Sequence, residues 1–204
     1  MTPKQFLQAI KPACEWVSRK STLPILESLR FRDGKVLATD ISGQATYPIE
    51  GIEELDCCVN AAAITRALGA MPADEKLTIK AEDKQIILRA GRSRHKLPTL
   101  PASDMPTIKA PDSDEGAFLI PKLGETFSRL QPFMGIKAVQ YYMCGICLQG
   151  INGRLRAISM DGYRVAVQDM GSYEEDLSVI VPAFAVQRLA GATNPRMIID
   201  QDAQ

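Results

Sequence analysis

Cysteines are the residues of this chain whose types and spacing most resemble a chemical motif. Cys144 and Cys147 stand three residues apart, which is the spacing of redox Cys-x-x-Cys motifs, and Cys57 and Cys58 are adjacent. The residues around Cys144 and Cys147 favour a strand, where positions three apart face opposite sides, whereas redox motifs open a helix. Cys57 and Cys58 have no second pair at zinc-ligand spacing. The sequence therefore predicts structural cysteines, with no redox centre and no metal site.

Residues for acid–base and nucleophilic chemistry are also scarce. His95 is the single histidine of the chain, which excludes a Ser-His-Asp triad and a histidine-rich metal site. Asp161 precedes Gly162, and this dipeptide is typical of a turn rather than of an acid catalyst. We expect a protein without enzymatic activity and without a cofactor.

Composition is that of an ordinary soluble protein. The 204 residues suit one large domain or two smaller ones, and 46% are hydrophobic while 24% are charged. No apolar run reaches the roughly 18 residues of a membrane span, and the first residues show no signal pattern. With five cysteines and no disulfide framework, we expect a cytoplasmic location. The net charge of zero excludes a uniformly basic nucleic-acid binder but permits a local basic surface.

Tight turns organise the stretch from residue 141 to residue 168. Asn152-Gly153 is a strong hairpin signal, and Asp161-Gly162 marks a second turn. The segments 141–149, 154–159 and 163–168 are rich in strand-forming residues. A similar segment, Asp-Gly-Lys-Val-Leu-Ala-Thr-Asp, occurs at 33–40. This similarity indicates an internal repeat.

Four pairs of segments recur in the same order at separations of 118 to 122 residues. The pairs are 2–4 with 120–122, 34–35 with 153–154, 59–61 with 181–183, and 76–79 with 196–199. The chain is therefore predicted to contain two copies of one unit. A segment rich in proline, acidic residues and serine, 105–116, marks the seam. We predict domains at 1–110 and 116–204.

Each copy is predicted to contain two helices and several strands. Thr2 and Pro3 suit the start of the first helix, and the second helices are predicted at 61–71 and 183–190. Apolar side chains recur at helical spacing in the two first helices, namely Phe6, Ile10, Ala13 and Val17 in one copy and Leu123, Phe127, Leu130 and Met134 in the other. The prediction is an α+β protein with helices packed on antiparallel sheet. Its first copy would lack the opening strand, and its second copy the closing strands.

Basic charge concentrates on the predicted helices and their flanks. These segments hold nine of the 24 basic residues but only two of the 24 acidic ones, Glu15 and Glu125. The nine are Lys4, Lys11, Arg19, Lys20, Arg66, Lys122, Arg129, Lys137 and Arg188. Lys4 and Lys11 are seven residues apart, as are Lys122 and Arg129, so each pair is predicted to share a helix face. A basic layer in an otherwise acidic protein favours a surface that faces nucleic-acid phosphates, and a solvated outer helix face is the alternative.

Several stretches resemble the bacterial DNA polymerase III beta subunit family, the sliding clamps. The resemblance covers nearly the whole chain, from about residue 6 to residue 199. Its most specific segments are R-K-S-T-L-P-I-L at 19–26, A-G-R-S-R-H-K-L-P-T-L-P-A-S-D-M-P at 90–106, V-Q-Y-Y-M-C-G at 139–145, R-A-I-S-M-D-G-Y-R-V-A at 156–166 and V-I-V-P at 179–182. Most family members have phenylalanine at the position of His95.

The resemblance implies the DNA-clamp fold, a ring of six such units with helices around duplex DNA. It implies that the nine basic residues track phosphates without reading bases, and Lys20 and Lys137 match DNA-contacting positions of the family. Basic pairs that the family carries on its second helices are replaced by Ala62-Ala63 and Ala183-Phe184. We therefore expect weaker DNA contact than in a typical clamp.

The resemblance also implies a pocket for short linear peptides of replication proteins. Its wall in the second domain maps to Gln140, Tyr142, Met143, Met160, Gly162, Tyr163, Arg164 and Val165. Met160 and Tyr163 stand where threonine and histidine are common, which alters the expected peptide preference. The opposite wall belongs to later segments and to a third domain, which we expect this chain to lack.

The expected function is that of a processivity clamp, or of its first two domains. The implied partners are duplex DNA, the DNA polymerase III catalytic subunit and the clamp loader, with no membrane. Six units would require three chains, so a ring-forming protein would be a homo-oligomer. The alternative is a clamp-like protein-binding module that does not close a ring.

Overall fold

A computed structural model describes residues 1–18, 21–108, 118–120, 122–136, 138–174, 176–190 and 196–197. For residues 118, 119, 196 and 197 it describes the backbone only. The chain divides into two compact units, Met1–Lys109 (unit 1) and Ala110–Gln204 (unit 2). Across the described ranges, every helix is too short or too polar to cross a membrane.

Unit 1 contains two helices and seven antiparallel strands. In chain order they are α1 (Pro3–Cys14), β1 (Ser28–Arg32), β2 (Lys35–Thr39), β3 (Gln44–Pro48), β4 (Cys57–Asn60), α2 (Ala61–Gly69), β5 (Thr78–Glu82), β6 (Gln85–Ala90) and β7 (Ser93–Pro101). The strand order across the sheet is β3-β2-β1-β4-β7-β6-β5. Short 3-10 helices precede β1 at Pro24–Glu27 and follow β7 at Ala102–Asp104.

Local signals in the sequence account for the ends of these elements. The Thr2 hydroxyl accepts a hydrogen bond from the Gln5 amide at 3.3 Å, and the Gln5 side chain accepts one from the Thr2 amide at 2.9 Å, which completes a capping box at the start of α1. The Asn60 side chain caps α2 by accepting from the Ala63 amide at 3.0 Å. The predicted helix starts of unit 1 are therefore confirmed by their hydrogen bonds.

Both helices of unit 1 lie on one face of the sheet. Phe6, Ile10 and Ala13 of α1 are completely buried, as is Ile64 of α2. They pack against alternate residues of the strands, and the rings of Phe6 and Phe31 lie 6.1 Å apart. We call this the inner face of the sheet and the opposite side the outer face.

Unit 2 repeats this arrangement with fewer described strands. Its elements are β8 (Phe118–Leu119), α3 (Leu123–Leu130), β9 (Gly145–Ile151), β10 (Arg154–Met160), β11 (Val165–Ser172), β12 (Leu177–Pro182), α4 (Ala183–Leu189) and β13 (Arg196–Met197). The main sheet has the order β11-β10-β9-β12, and β8 pairs with β13. Phe127 and Val186 are completely buried where α3 and α4 meet the sheet. The Gln168 side-chain amide donates to the buried Thr126 hydroxyl at 3.0 Å and ties β11 to α3.

The strand registers of the two units correspond. In unit 1, Ser28 pairs with Asn60 where β1 meets β4, and α2 begins at the next residue. In unit 2, Gly145 pairs with Pro182 where β9 meets β12, and α4 begins at the next residue. Both first hairpins use a two-residue turn with positive φ at each position, 53° and 67° at Asp33-Gly34 and 51° and 74° at Asn152-Gly153. The α+β prediction with antiparallel sheet is confirmed.

Several predicted boundaries were wrong. Tyr141–Met143 forms a 3-10 helix rather than the start of a strand, and β9 begins only at Gly145. Tyr163 lies in a turn, because β11 begins at Val165. Lys122 lies before α3 with a φ of 59°, so Lys122 and Arg129 do not share a helix face as predicted. The segment 141–149 is rich in strand-forming residues, but the backbone hydrogen bonds of Tyr141–Met143 are those of a 3-10 helix. Composition alone therefore did not indicate where the strand begins.

Candidate DNA and peptide interfaces

The helix layer of unit 1 carries exposed cations. Lys4 and Lys11 are exposed on α1, and Arg66 is exposed in the last turn of α2. The two helices contact each other on the inner face of the sheet. None of the ion pairs among the described residues involves these three side chains. Their charge is therefore available to an external anion.

Two cations of the helix layer in unit 2, Arg129 and Arg188, have partners within the unit. Arg129 forms an ion pair with Glu125 one helical turn earlier. The Arg188 guanidinium carbon lies 5.6 Å from the centroid of the Phe184 ring. Lys122 is exposed ahead of α3. The predicted residues Arg19, Lys20 and Lys137 lie outside the described residues.

The first turns of α2 and α4 carry no charged side chain in the part of the chain that the structure describes. Ala62 is exposed and Ala63 half-buried on α2, while Ala183 and Phe184 are half-buried on α4. Neither first turn contains an acidic residue. These positions contribute no positive charge to a phosphate-facing surface, as the sequence predicted.

A second candidate surface forms where the 3-10 helix Tyr141–Met143 meets the end of β10. The Gly135 amide lies within hydrogen-bonding distance of two carbonyls, that of Met143 at 2.9 Å and that of Met160 at 3.2 Å. A Cβ at Gly162 would lie 3.9 Å from the Met143 sulfur. The backbone thus brings together three segments that are distant in sequence, and two of them carry predicted peptide-binding residues.

The turn between β10 and β11 is held by one carboxylate. Asp161 Oδ1 accepts hydrogen bonds from the amides of Tyr163 at 3.0 Å and Arg164 at 2.8 Å. Asp161 Oδ2 accepts from Arg164 Nε at 3.0 Å and Nη2 at 2.7 Å. The Arg164 guanidinium, followed by the two amides, lowers the pKa of the Asp161 carboxyl to about 2. Asp161 therefore stays ionised and fixes the turn.

This turn presents Tyr163 and Arg164 on the surface. Gly162 has a φ of 90°, and the Tyr163 side chain is 97% exposed. The Arg164 guanidinium, held by Asp161, also lies over the ring of Phe133 with 5.4 Å between Cζ and the ring centroid. A cation with one face on an aromatic ring and its fork on a carboxylate has a restricted orientation.

The remaining predicted peptide-binding residues lie on or beside this surface. Val165 pairs with Met160 across β11 and β10, and its side chain is 61% exposed. Gln140 is exposed directly before the 3-10 helix, and Tyr142 within it is 46% exposed. The prediction missed Phe133 and Gly135, because no motif marks them and only the fold brings them to Met143 and Arg164. Asp161 was interpreted as a turn residue, and its hydrogen bonds agree with that interpretation.

All five cysteines of the chain are free thiols. Burial raises the pKa of Cys57 to about 11 and that of Cys58 to about 12, so both thiols are protonated at neutral pH. Cys144 precedes β9 and Cys147 lies within it. Within the described ranges, no three His, Cys, Asp or Glu side chains are grouped so that they could hold a metal ion.

Comparison with known proteins identifies similar chains. The family profile described as DNA polymerase III beta subunit, N-terminal domain, matches residues 1–109. The beta sliding clamp of Pseudomonas aeruginosa is 29% identical over 199 residues, which covers 92% of this chain and 53% of that protein. The beta sliding clamp of Escherichia coli K12 is 30% identical over 193 residues, covering 86% and 52%.

Solved structures agree with the relatives. The DNA polymerase III subunit beta of Pseudomonas aeruginosa has a TM-score of 0.80 at 27% identity, covering 94% of this chain and 55% of that chain. The Pseudomonas aeruginosa DnaN sliding clamp bound to griselimycin also has a TM-score of 0.80 at 27% identity, covering 96% and 57%. The chain spans about half the length of the relatives that it matches.

Proposed function

Because the chain belongs to the DNA polymerase III beta subunit family, we propose that it is a clamp protein that holds replication proteins on duplex DNA. The observation that carries this proposal is the layer of exposed, unpaired cations on α1 and α2 of unit 1, the part that the family profile matches. Phosphate contacts of this kind are independent of base sequence. The protein contributes positioning and no chemical step of its own.

In the proposed DNA contact, Lys4, Lys11 and Arg66 face the phosphates. Arg129 and Arg188 contribute less, because Glu125 neutralises the first and the second stacks on Phe184. Arg19, Lys20, Lys122 and Lys137 are further proposed contacts. Three available cations form a small electrostatic footprint, and we expect weak binding that falls steeply with salt.

In the proposed peptide contact, Tyr163 and Arg164 form the exposed rim and Met143, Met160 and Val165 the apolar floor, with Gln140, Tyr142 and Gly162 at the edges. An exposed aromatic beside an oriented arginine is the residue combination that dominates many protein interfaces. The proposed partners are peptides of the DNA polymerase III catalytic subunit and of the clamp loader. Such a protein would act in the cytoplasm.

The first experiment measures binding of the purified chain to a fluorescent duplex by anisotropy over a range of salt concentrations. We expect log Kd to rise linearly with log salt, independently of duplex sequence. The triple variant Lys4→Ala, Lys11→Ala, Arg66→Ala should reduce the slope by about three, since each lost phosphate contact removes about 0.9. The matched control removes three exposed lysines outside the helix layer, Lys35, Lys76 and Lys80. Equal effects of both triple variants, or no binding to DNA at low salt, would contradict the DNA contact.

A second experiment tests the peptide surface with griselimycin, which the Pseudomonas aeruginosa clamp binds in its solved structure. If this surface takes the same ligand, Tyr163→Ala should weaken its binding about tenfold. The control Ile151→Ala truncates an exposed apolar side chain at the other end of β9. Binding that is insensitive to Tyr163→Ala would remove this surface from the proposal.

A clamp-like binding module that does not close a ring is the second candidate. It is favoured by the cations of unit 2, because Arg129 pairs with Glu125 and Arg188 lies over the Phe184 ring, which leaves less charge for duplex phosphates. Light scattering separates the two candidates. A homo-oligomer with six units would have three times the chain mass of 22.3 kDa, whereas the module would have the mass of one chain.

A further inference from the structure

A cavity lies at the same place in each of the two units. It is bounded by the end of the first helix, by the residue directly before the first strand of the main sheet, and by the start of the second helix. The volume of the cavity is about 280 Å³ in unit 1 and about 600 Å³ in unit 2. The repeat therefore builds one kind of cavity twice.

Backbone hydrogen bonds establish which lining residues correspond. The Ser18 amide donates to the carbonyl two residues before β1 at 3.0 Å, and the Gly135 amide donates to the carbonyl two residues before β9 at 2.9 Å. Ser18 and Gly135 both line the cavity of their unit. The next residue after each accepting carbonyl also lines it, and this residue is Glu27 in unit 1 and Cys144 in unit 2.

The two cavities differ in charge. Among the described residues that line the cavity of unit 1, Glu27 is the single charged one, and its side chain is half-buried. The Cys14 thiol beside it is neutral at pH 7, because burial raises its pKa. The described lining of the cavity in unit 2 contains no charged side chain, since Cys144 takes the place of Glu27. The cavity of unit 1 is therefore the one that favours a cation.

Hydrogen-bond acceptors complete the lining of the cavity in unit 1. The Glu27 carboxylate accepts one long hydrogen bond, from the Ser21 amide at 3.4 Å, and a carboxylate can accept several. The Thr65 hydroxyl donates to the Ala61 carbonyl at 2.8 Å, so its oxygen keeps its lone pairs. An ammonium group has three donors and no acceptor, and its hydrogen bonds to a carboxylate are charge-assisted. These acceptors match an ammonium group.

The helix ends around the cavity leave this preference unchanged. The last residue of α1, Cys14, and the first turn of α2 both line the cavity. The partial negative charge at the end of α1 and the partial positive charge at the start of α2 oppose each other. The Asn60 side chain also accepts the Ala63 amide at 3.0 Å, which satisfies one of the free donors of α2. The Glu27 carboxylate therefore remains the dominant charge.

We propose that the cavity of unit 1 binds a small organic cation, a primary ammonium on a short apolar body. The ammonium pairs with the Glu27 carboxylate, and the body packs against Val17, Ala61 and Ala62, which line the same cavity. Small-molecule sites typically have volumes of roughly 300–1,000 Å³, and the cavity of unit 1 lies at the lower end of that range. It therefore suits a ligand of few heavy atoms.

The test uses two ligands of the same shape, 3-methylbutylamine and 3-methylbutan-1-ol, and the full chain with ¹³C-labelled alanine methyl groups. The Ala61 and Ala62 methyls report on the cavity of unit 1, and the Ala183 methyl reports on that of unit 2. We expect the amine to shift the Ala61 and Ala62 signals saturably at pH 7. The alcohol should bind about tenfold more weakly, because it lacks the charge.

Two variants separate the charge from the shape of the cavity. Glu27→Gln should raise the Kd of the amine about tenfold and leave that of the alcohol unchanged. The matched control Cys144→Ser changes the corresponding residue of unit 2 and should alter neither Kd. Ala62→Phe introduces the residue that α4 has at the same position, Phe184, and should abolish binding of both ligands by filling the cavity. Circular dichroism establishes that each variant is folded.

Three results would overturn the proposal. They are equal affinities of the amine and the alcohol, an amine affinity that Glu27→Gln leaves unchanged, and shifts of the Ala183 methyl as large as those of Ala61. Arg19 and Lys20 follow Ser18 in the sequence and lie outside the described residues, so the double variant Arg19→Gln, Lys20→Gln is included. Amine binding by this double variant alone would assign the carboxylate to a cation of the chain and would equally remove the ligand site.

Discussion

The turns that follow β2 and β10 have the same backbone but present different side chains. In unit 1 the Asp40 amide donates to the Gly43 carbonyl at 3.2 Å, and in unit 2 the Asp161 amide donates to the Arg164 carbonyl at the same distance. The aspartate carboxylate accepts the amide of the fourth residue in both turns. Unit 1 ends its turn with glycine, whereas unit 2 ends with an arginine that the carboxylate also binds. The repeat thus keeps the scaffold and varies the surface.

The outer faces of the two main sheets differ in how their central residues are packed. In unit 1 the paired residues Leu37, Arg30 and Cys58 form a row across β2, β1 and β4, and Met105 and Ile25 pack on Leu37 and Cys58. In unit 2 the corresponding row is Val167, Ile158 and Cys147 across β11, β10 and β9, and Val167 is 56% exposed. Among the described residues, the same strand pairing thus accompanies different degrees of burial in the two units.

Removing the cover of unit 1 gives the largest expected effect. Met105→Ala should lower the free energy of unfolding by about 2–5 kcal/mol, because it deletes a buried side chain and leaves a cavity over Leu37 and Cys58. The fluorescence of Trp16, the single tryptophan, reports on unit 1 because its side chain packs against that core. Urea unfolding followed at this tryptophan measures the loss.

Ile158→Ala is the matched change in unit 2, and its free energy of unfolding is measured by urea unfolding monitored by circular dichroism. It should cost clearly less than Met105→Ala, since Ile158 is half-buried and has no described cover. Equal losses at the two sites would mean that both rows are covered to the same degree. That result would remove the difference between the units.

Gly145 offers the next comparison, because unit 1 has Ser28 at the corresponding position. A Cβ at Gly145 would lie 2.5 Å from the Val181 carbonyl oxygen and 2.9 Å from a methyl group of Ile180, so β9 and β12 would have to separate. Gly145→Ala should destabilise the protein by about 1–3 kcal/mol, as overpacking does. The control Gly69→Ala meets no atom within 4 Å and should cause no loss. Thermal melts of both variants measure the difference. An unchanged melting temperature for Gly145→Ala would show that β9 and β12 can separate at little cost in stability.

The second residue of the turn has a positive φ in both units, but it is Ile41 in unit 1 and Gly162 in unit 2. The φ of 75° at Ile41 is unfavourable for a β-branched residue, whereas glycine adopts positive φ readily. Ile41→Gly should stabilise unit 1 by about 1 kcal/mol, because the relieved strain exceeds the added flexibility of glycine. Gly162→Ile should have the opposite effect in unit 2. Urea titrations test the pair, and destabilisation by Ile41→Gly would mean that the Ile41 side chain makes contacts that outweigh the strain.

Much of the scaffold could be predicted from the sequence, since its signals are local. Asn152-Gly153 and Asp33-Gly34 require positive φ at both positions, and Thr2 caps α1 through a residue three positions later. The candidate surfaces were predicted less completely. Arg129 counted as an available cation although Glu125, which neutralises it, stands four residues away in the sequence.

Long-range contacts account for what the sequence could not predict. Phe133 reaches Arg164 only through the packing of unit 2, and no spacing in the sequence links them. The 3-10 helix at Tyr141–Met143 is likewise fixed by the Gly135 amide, which lies close to both the Met143 and Met160 carbonyls. Propensity describes single segments, whereas these features depend on where segments meet.

The smallest expected effect concerns the pH dependence of the turn in unit 2. Asp161 has a pKa of about 2 in the folded chain, chiefly because Arg164 binds the carboxylate, whereas an unfolded aspartate titrates at about 3.9. Its folded pKa is the lower one, so its stabilising contribution is complete above about pH 4 and is lost as the pH falls toward 2. The carboxyl-carbon NMR shift of Asp161 should therefore still report an ionised group at pH 3.

Arg164→Ala tests the cause of that pKa. Without the guanidinium the carboxyl keeps only the two amide hydrogen bonds, so its titration midpoint should move upward. The matched variant Arg154→Ala removes an arginine bound to Asp169 at the far end of β10 and should leave Asp161 unchanged. A midpoint for Asp161 that is the same with and without Arg164 would show that the backbone alone fixes this turn. The two repeat turns would then differ only in the side chains that they expose.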